Sequence, residues 1–145
     1  MARFKMADLD RWAAKVDRRM TAILKQSTND MLKGIKISTG ITRGGTFQRG
    51  AIPKDLGALA GSLQSTLFGS TAISSAGEDS YILAIGAMQS GDKARFVWGG
   101  ANAPYARAIH YGFGSYPGTF WRDIAAAKWG GYVRAATARA KAQIP

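Results

Sequence analysis

From Asp8 to Lys33 the chain places Leu9, Trp12, Ala13, Val16, Met20, Ile23, Leu24, Ser27 and Met31 in steps of three and four, with Ser27 the one polar interruption. That spacing puts a single apolar stripe along a helix, and the rest of the fold has to be built around it. Arg11, Lys15, Arg18, Arg19 and Lys25 fall on the other faces; Asp8 stands where an N-cap is wanted and Gly34 where a helix stops, with Ile35 and Ile37 able to extend the order a little. A helix of about 26 residues is about 39 Å long at 1.5 Å per residue, more than a compact domain of this size needs to cover its own sheet. Part of the stripe is therefore expected to lie under another chain.

The 145 residues suit one domain with a modest core. No run approaches the roughly 18 apolar residues of a membrane span, and the N-terminus lacks the apolar block of a secretory signal, so folding in a cytoplasm is expected. The absence of cysteine fits a reducing compartment and removes thiolate nucleophiles, disulfides and Cys-based metal sites. The net charge of +11 belongs to the two ends: residues 1–50 carry eleven Lys/Arg against four acids, residues 51–100 three against four, and residues 101–145 six against one. Two readings of those basic ends stay open, solvated helix faces or a surface facing phosphate or an acidic protein neighbour.

Along the chain the pattern divides into a helix (1–37), a glycine-rich loop (38–57), a sheet (58–100), an aromatic turn (101–121) and a final helix (121–145). The loop, STGITRGGTFQRGAIPKDLG, holds five glycines and one proline without sustained periodicity. Connections of that length tend to be functional or to order on binding. Strands are expected at 62–74, 81–88 and 94–98, with hairpin-like connections at Ala76-Gly77-Glu78-Asp79 and Gln89-Ser90-Gly91-Asp92. A sheet of this kind needs the flanking helices to cover its apolar face. The expected fold is α+β: a long N-terminal helix, an antiparallel β-meander of three to four strands, and a C-terminal helix packed on the sheet.

Between Ala103 and Trp121 lie six of the fifteen aromatic residues, the only histidine and three glycines. Pro104 suits the start of a short helix over 105–111 that ends at Gly112. Thr119 can cap the last helix, with Asp123 in its first turn and Arg139 and Lys141 near its end. Ala125, Trp129, Tyr132, Val133, Ala136 and Ala140 form its stripe, and Gly130-Gly131 predicts a kink or break.

Catalytic chemistry has little material. His110 alone cannot assemble a multi-histidine metal site, and Glu78-Asp79 falls in a turn where water keeps both carboxylates ionised. Gly112-Phe113-Gly114 lacks the strand and the spacing of a nucleotide loop. Catalytic residues, metal and cofactor are all expected to be absent. For nucleic acid the charge is suitable, yet there is no zinc-finger spacing, ribonucleoprotein signature or helix-turn-helix pattern. Arg43-Gly44-Gly45 is a single RGG-like fragment, and rings near Arg107 and Arg122 could stack single-stranded bases.

Two segments resemble a family. Gly50-Ala51-Ile52-Pro53-Lys54-Asp55-Leu56-Gly57-Ala58-Leu59-Ala60-Gly61-Ser62-Leu63 is similar to the "Pro, two residues, Thr-Gly, x, Leu, two residues, Ser" signature of small tail-completion or neck proteins of long-tailed bacteriophages, the HK97 gp10-like group. Ala103-Pro104-Tyr105-Ala106-Arg107-Ala108-Ile109-His110-Tyr111-Gly112 resembles that family's "Pro-Tyr-Ala, then an aromatic or acidic residue before Gly" segment. Leu56 stands where threonine is usual, and His110 with Tyr111 where a glutamate is common. The basic N-terminal helix, Phe120-Trp121 and the length agree as well.

The resemblance implies a virion protein, assembled in the host cytoplasm, that forms a homo-oligomeric ring at the head–tail junction. Its partners would be further copies of itself, connector or head-closure proteins, and tail-tube or tail-terminator proteins, with possible non-specific contact to DNA in the lumen and none with a membrane. Arg43, Phe47 and Arg49 would then belong to an assembly arm. Tyr105, Arg107, His110, Tyr111, Phe113, Tyr116, Phe120 and Trp121 would form a corner near a subunit interface. The alternative is a basic accessory protein that binds nucleic acid.

Overall fold

The N-terminal stripe forms one uninterrupted helix, α1 (Met6–Ile35), in the computed structural model, which describes residues 5–36, 38–39, 47–54, 57–69, 71–101 and 103–145. Asp8 lies inside the first turn; the cap position is Lys5, which makes no side-chain cap bond. The helix runs one residue past Gly34, to Ile35, within the short extension the sequence allows. A Cβ on Gly34 would stand 2.6 Å from Tyr132 Oη, so the missing side chain admits a neighbouring helix. That neighbour is α5 (Trp121–Gln143), which runs antiparallel along α1 from Gly34 beside Tyr132 to Arg19 Nε, which donates to Ile144 O at 2.5 Å.

The break expected at Gly130-Gly131 is absent, and α5 continues through both. Two glycines cost a helix about 2 kcal/mol relative to alanine. Burial of Ala125, Ala136 and Ala140 offsets that, because helices in proteins are held mainly by packing of their apolar face.

Beside the helix pair sits a three-stranded antiparallel sheet of β3 (Gln64–Phe68), β4 (Ile73–Ala76) and β5 (Lys93–Val97), in the order β4-β3-β5. Ser65 and Leu67 of β3 face inward between Ser75 and Ile73 on one side and Phe96 and Ala94 on the other. The α+β class therefore holds, with a different route through it. The run expected as a strand over 62–74 contributes both β3 and β4. The run expected over 81–88 is a helix, α3 (Tyr81–Ala87).

The reason is periodicity. Tyr81, Ala84 and Met88 are buried while Ile82 and Leu83 are exposed, a helical repeat that a short apolar run leaves open to either reading. The turns at Gly77–Ser80 and Gln89–Asp92 thus lead into and out of α3 rather than closing hairpins. With β5 beside β3, the connection is a crossover and not a meander.

Within the glycine-rich segment, β1 (Ser38–Thr39) pairs in parallel with β2 (Pro53–Lys54), and α2 (Ala58–Gly61) follows. Residues 50–53 are buried and not a free arm. Gly50 N donates to Thr119 O at 2.7 Å and Ile52 N to Ile35 O at 3.0 Å, tying the end of α1 to the start of α5. The principal core gathers Leu32, Ile35, Ile52, Leu63, Tyr81 and Trp121, with Phe96 and Trp98 packed against it, so the start of α5 shares a core with the sheet.

Candidate assembly surface

A short helix, α4 (Ala106–Tyr111), follows Pro104 and ends at Gly112 as the sequence predicts. The chain then turns through a Phe113–Tyr116 bridge and comes back against the end of α4. Thr119 N donates to Ile109 O at 3.0 Å and Phe120 N to His110 O at 2.9 Å, so orphan carbonyls of α4 are met by the returning segment. Thr119 is thereby occupied with α4 and does not cap α5. The cap position belongs to Phe120, a non-glycine residue at φ 50°. An L-residue in that left-handed region carries a conformational cost of about 1–2 kcal/mol. It is held there by its own hydrogen bond and by ring contacts to His110 and Tyr111.

The rings divide between two directions. Trp121 and His110 face inward, His110 being 4 % exposed and in edge contact with Tyr111, Phe120 and Trp121 at centroid distances of 4.5, 5.5 and 4.8 Å. Tyr105, Tyr111 and Phe113 face outward. Tyr116 is half-buried; burial pushes its phenol up, and its hydroxyl meets no hydrogen-bond partner among the described residues. Phe47 stands edge-on to Tyr116 at 5.7 Å, and Arg49 covers the Phe120 ring at 5.4 Å, so two of the three residues expected in an assembly arm are attached to the corner. Arg43 lies outside the described residues. Arg107 covers the exposed Tyr111 ring at 5.7 Å, and Arg122 Nη2 donates to Tyr111 Oη at 3.0 Å.

Next to this corner opens a basin of about 790 Å³. Its walls come from the end of α1, from β5 and Trp98, from α4 and from the first turns of α5. Leu32, Ile35, Phe96, Trp98 and Trp121 make it apolar, while Arg95, Arg107 and Arg122 charge it, and no carboxylate lines it among the described residues. His110 also borders it, with neither ring nitrogen hydrogen-bonded among the described residues.

Sequence reasoning finds the α4–α5 half of this basin through its rings. It misses Arg95, Phe96 and Trp98, which read only as strand until the sheet order places β5 beside the corner. Among the described residues no three His, Asp or Glu side chains gather as metal ligands, and no helix is long and apolar enough to cross a membrane.

A second apolar surface lies at the other end of α1. Residues 6–14 are exposed throughout, including Met6 (74 %), Leu9 (49 %) and Trp12 (62 %), and Met20 is exposed further along. These side chains continue the stripe that Leu24, Met31, Leu32 and Ile35 bury, past the point where α5 stops.

His110 gives the corner a pH signature. Burial is the largest influence and pulls the imidazole below its ordinary value; Arg122 acts in the same sense and Asp123 opposes it. A base whose folded pKa is depressed is protonated first in the unfolded chain, so its stability contribution is complete above the unfolded value of about 6.5 and is lost as pH falls below it. Thermal melts between about pH 7 and pH 5 are expected to show a declining Tm for the wild type and a flatter profile for His110→Phe. Equal slopes would remove His110 as the cause.

Neither a family model, nor a curated protein, nor a solved structure matches the chain.

Proposed function

We propose that the chain is a structural protein of a long-tailed phage virion, forming a ring at the head–tail junction in the neck or tail-completion layer. There it joins connector to tail tube around the DNA channel and acts by contact, without a catalytic step. The observation that carries the self-assembly part is the exposed apolar stripe of α1. A monomeric soluble protein rarely leaves Leu, Trp and Met side chains in a contiguous row facing water, and such rows mark interaction sites. The phage assignment rests on the two resembling segments. Pro53 opens β2, Leu59 and Leu63 enter the core around α2, and Pro104-Tyr105-Ala106 opens α4, so both segments occupy structural positions.

Mass photometry across a concentration series tests the reading: discrete closed oligomers are expected, and binding to purified portal-proximal or tail-tube proteins should follow. A chain that stays monomeric at every concentration and ignores those proteins would sink it. The net charge of +11 supports a second reading, a nucleic-acid-binding accessory protein. Salt separates the two. Phosphate contacts release counterions and weaken steeply with salt, whereas an apolar contact persists.

A further inference from the structure

We propose that the exposed N-terminal turns of α1 dock into the basin beside α4 of a second copy of this chain, head to tail, with Leu9 and Trp12 as the anchors. The inference rests on the self-assembly reading above and names the two surfaces that meet.

Leu9 and Leu32, which lines the basin, are 23 residues apart on one uninterrupted helix, a separation of about 35 Å at 1.5 Å per residue. One chain therefore cannot fill its own basin with its own α1. Two complementary surfaces at opposite ends of one rigid element make a heterologous contact, which closes into a ring when the rotation permits.

The chemistry matches at both ends. Residues 5–14 carry Asp8 and Asp10 against Lys5 and Arg11, so this end is neutral within a chain of +11 and sets a carboxylate on either side of Leu9. The basin offers Arg95, Arg107 and Arg122, with no carboxylate on its walls among the described residues. An apolar helix end flanked by Asp8 and Asp10 suits an apolar basin with an arginine rim, where carboxylate–guanidinium pairing fixes register. Pairing α1 against α1 of another copy would instead leave the basin empty and set like stripes of charge together.

The absence of cysteine makes a direct test available. Leu9→Cys and Val97→Cys, both at exposed positions, are prepared as separate full-length proteins and treated with a short bismaleimide alone and after mixing. The mixture is expected to give a cross-linked dimer, each variant alone none, and the double variant a ladder ending at the ring. Met6→Cys in place of Leu9→Cys is expected to behave alike. Cross-linking of Leu9→Cys to itself would overturn the inference in favour of paired α1 helices. Oligomers that form without a mixed adduct from either α1 variant would overturn it while leaving self-assembly standing. A chain monomeric throughout would remove the self-assembly reading and the inference with it.

Discussion

Gly118→Ala is expected to remove about 3–5 kcal/mol of folding stability, a large share of the 5–15 kcal/mol that a domain of this kind possesses. Two costs combine. At φ 72° an alanine sits in the left-handed region, where an L-residue is worse off by about 1–2 kcal/mol. Its Cβ would also lie 2.6 Å from Tyr111 C, 2.7 Å from Gly112 N and 2.8 Å from His110 O. Those are backbone atoms, so no side chain can swing aside. The returning segment would have to retreat from α4, stretching the Thr119–Ile109 and Phe120–His110 hydrogen bonds that seat Trp121 in the core. Gly114→Ala is the control: φ is 53° there and a Cβ meets nothing within 4 Å, so only the conformational cost of about 1–2 kcal/mol is expected. Urea titrations read both as midpoint shifts at constant slope. Equal losses for the two variants would show that the close backbone approach carries no weight.

That corner also shows which parts of the fold a sequence can disclose. Helix α1, the turn at Gly112 and the stripe of α5 follow from local spacing and punctuation, and they lie where periodicity puts them. The errors have one origin, the dependence of local choices on tertiary partners. Tyr81–Ala87 reads as a strand because a seven-residue apolar run satisfies both periods, and burial of Tyr81 and Ala84 decides for helix. Gly130-Gly131 reads as a break because propensity is counted without the packing of α5 on α1. Thr119 reads as a cap because its nearest carbonyl partner, Ile109, lies ten residues back on another helix. Half of the basin was legible as a cluster of rings. Its other wall depends on sheet order, which no local pattern encodes.

Trp12→Asp is expected to abolish self-assembly while leaving the fold intact, raising the concentration needed for oligomers at least 100-fold. Aromatic anchors at interface centres cost about 2–4 kcal/mol or more when truncated, and about 1.4 kcal/mol is a factor of ten. In a head-to-tail ring every subunit supplies one helix end and one basin, so each loses both of its contacts. The monomer gives up little, since Trp12 is 62 % exposed and belongs to neither buried cluster; its Tm should hold to within the about 0.5 kcal/mol typical of surface changes. Lys128→Asp, exposed on α5 away from the basin lining, makes a larger change of charge and should assemble as the wild type does. Mass photometry over a concentration series compares the three proteins, first at low salt and then at high salt, where a contact dominated by apolar burial survives screening. Assembly of Trp12→Asp at the wild-type concentration would place the subunit contact elsewhere on the molecule, and a lowered monomer Tm would mean that Trp12 serves the fold instead.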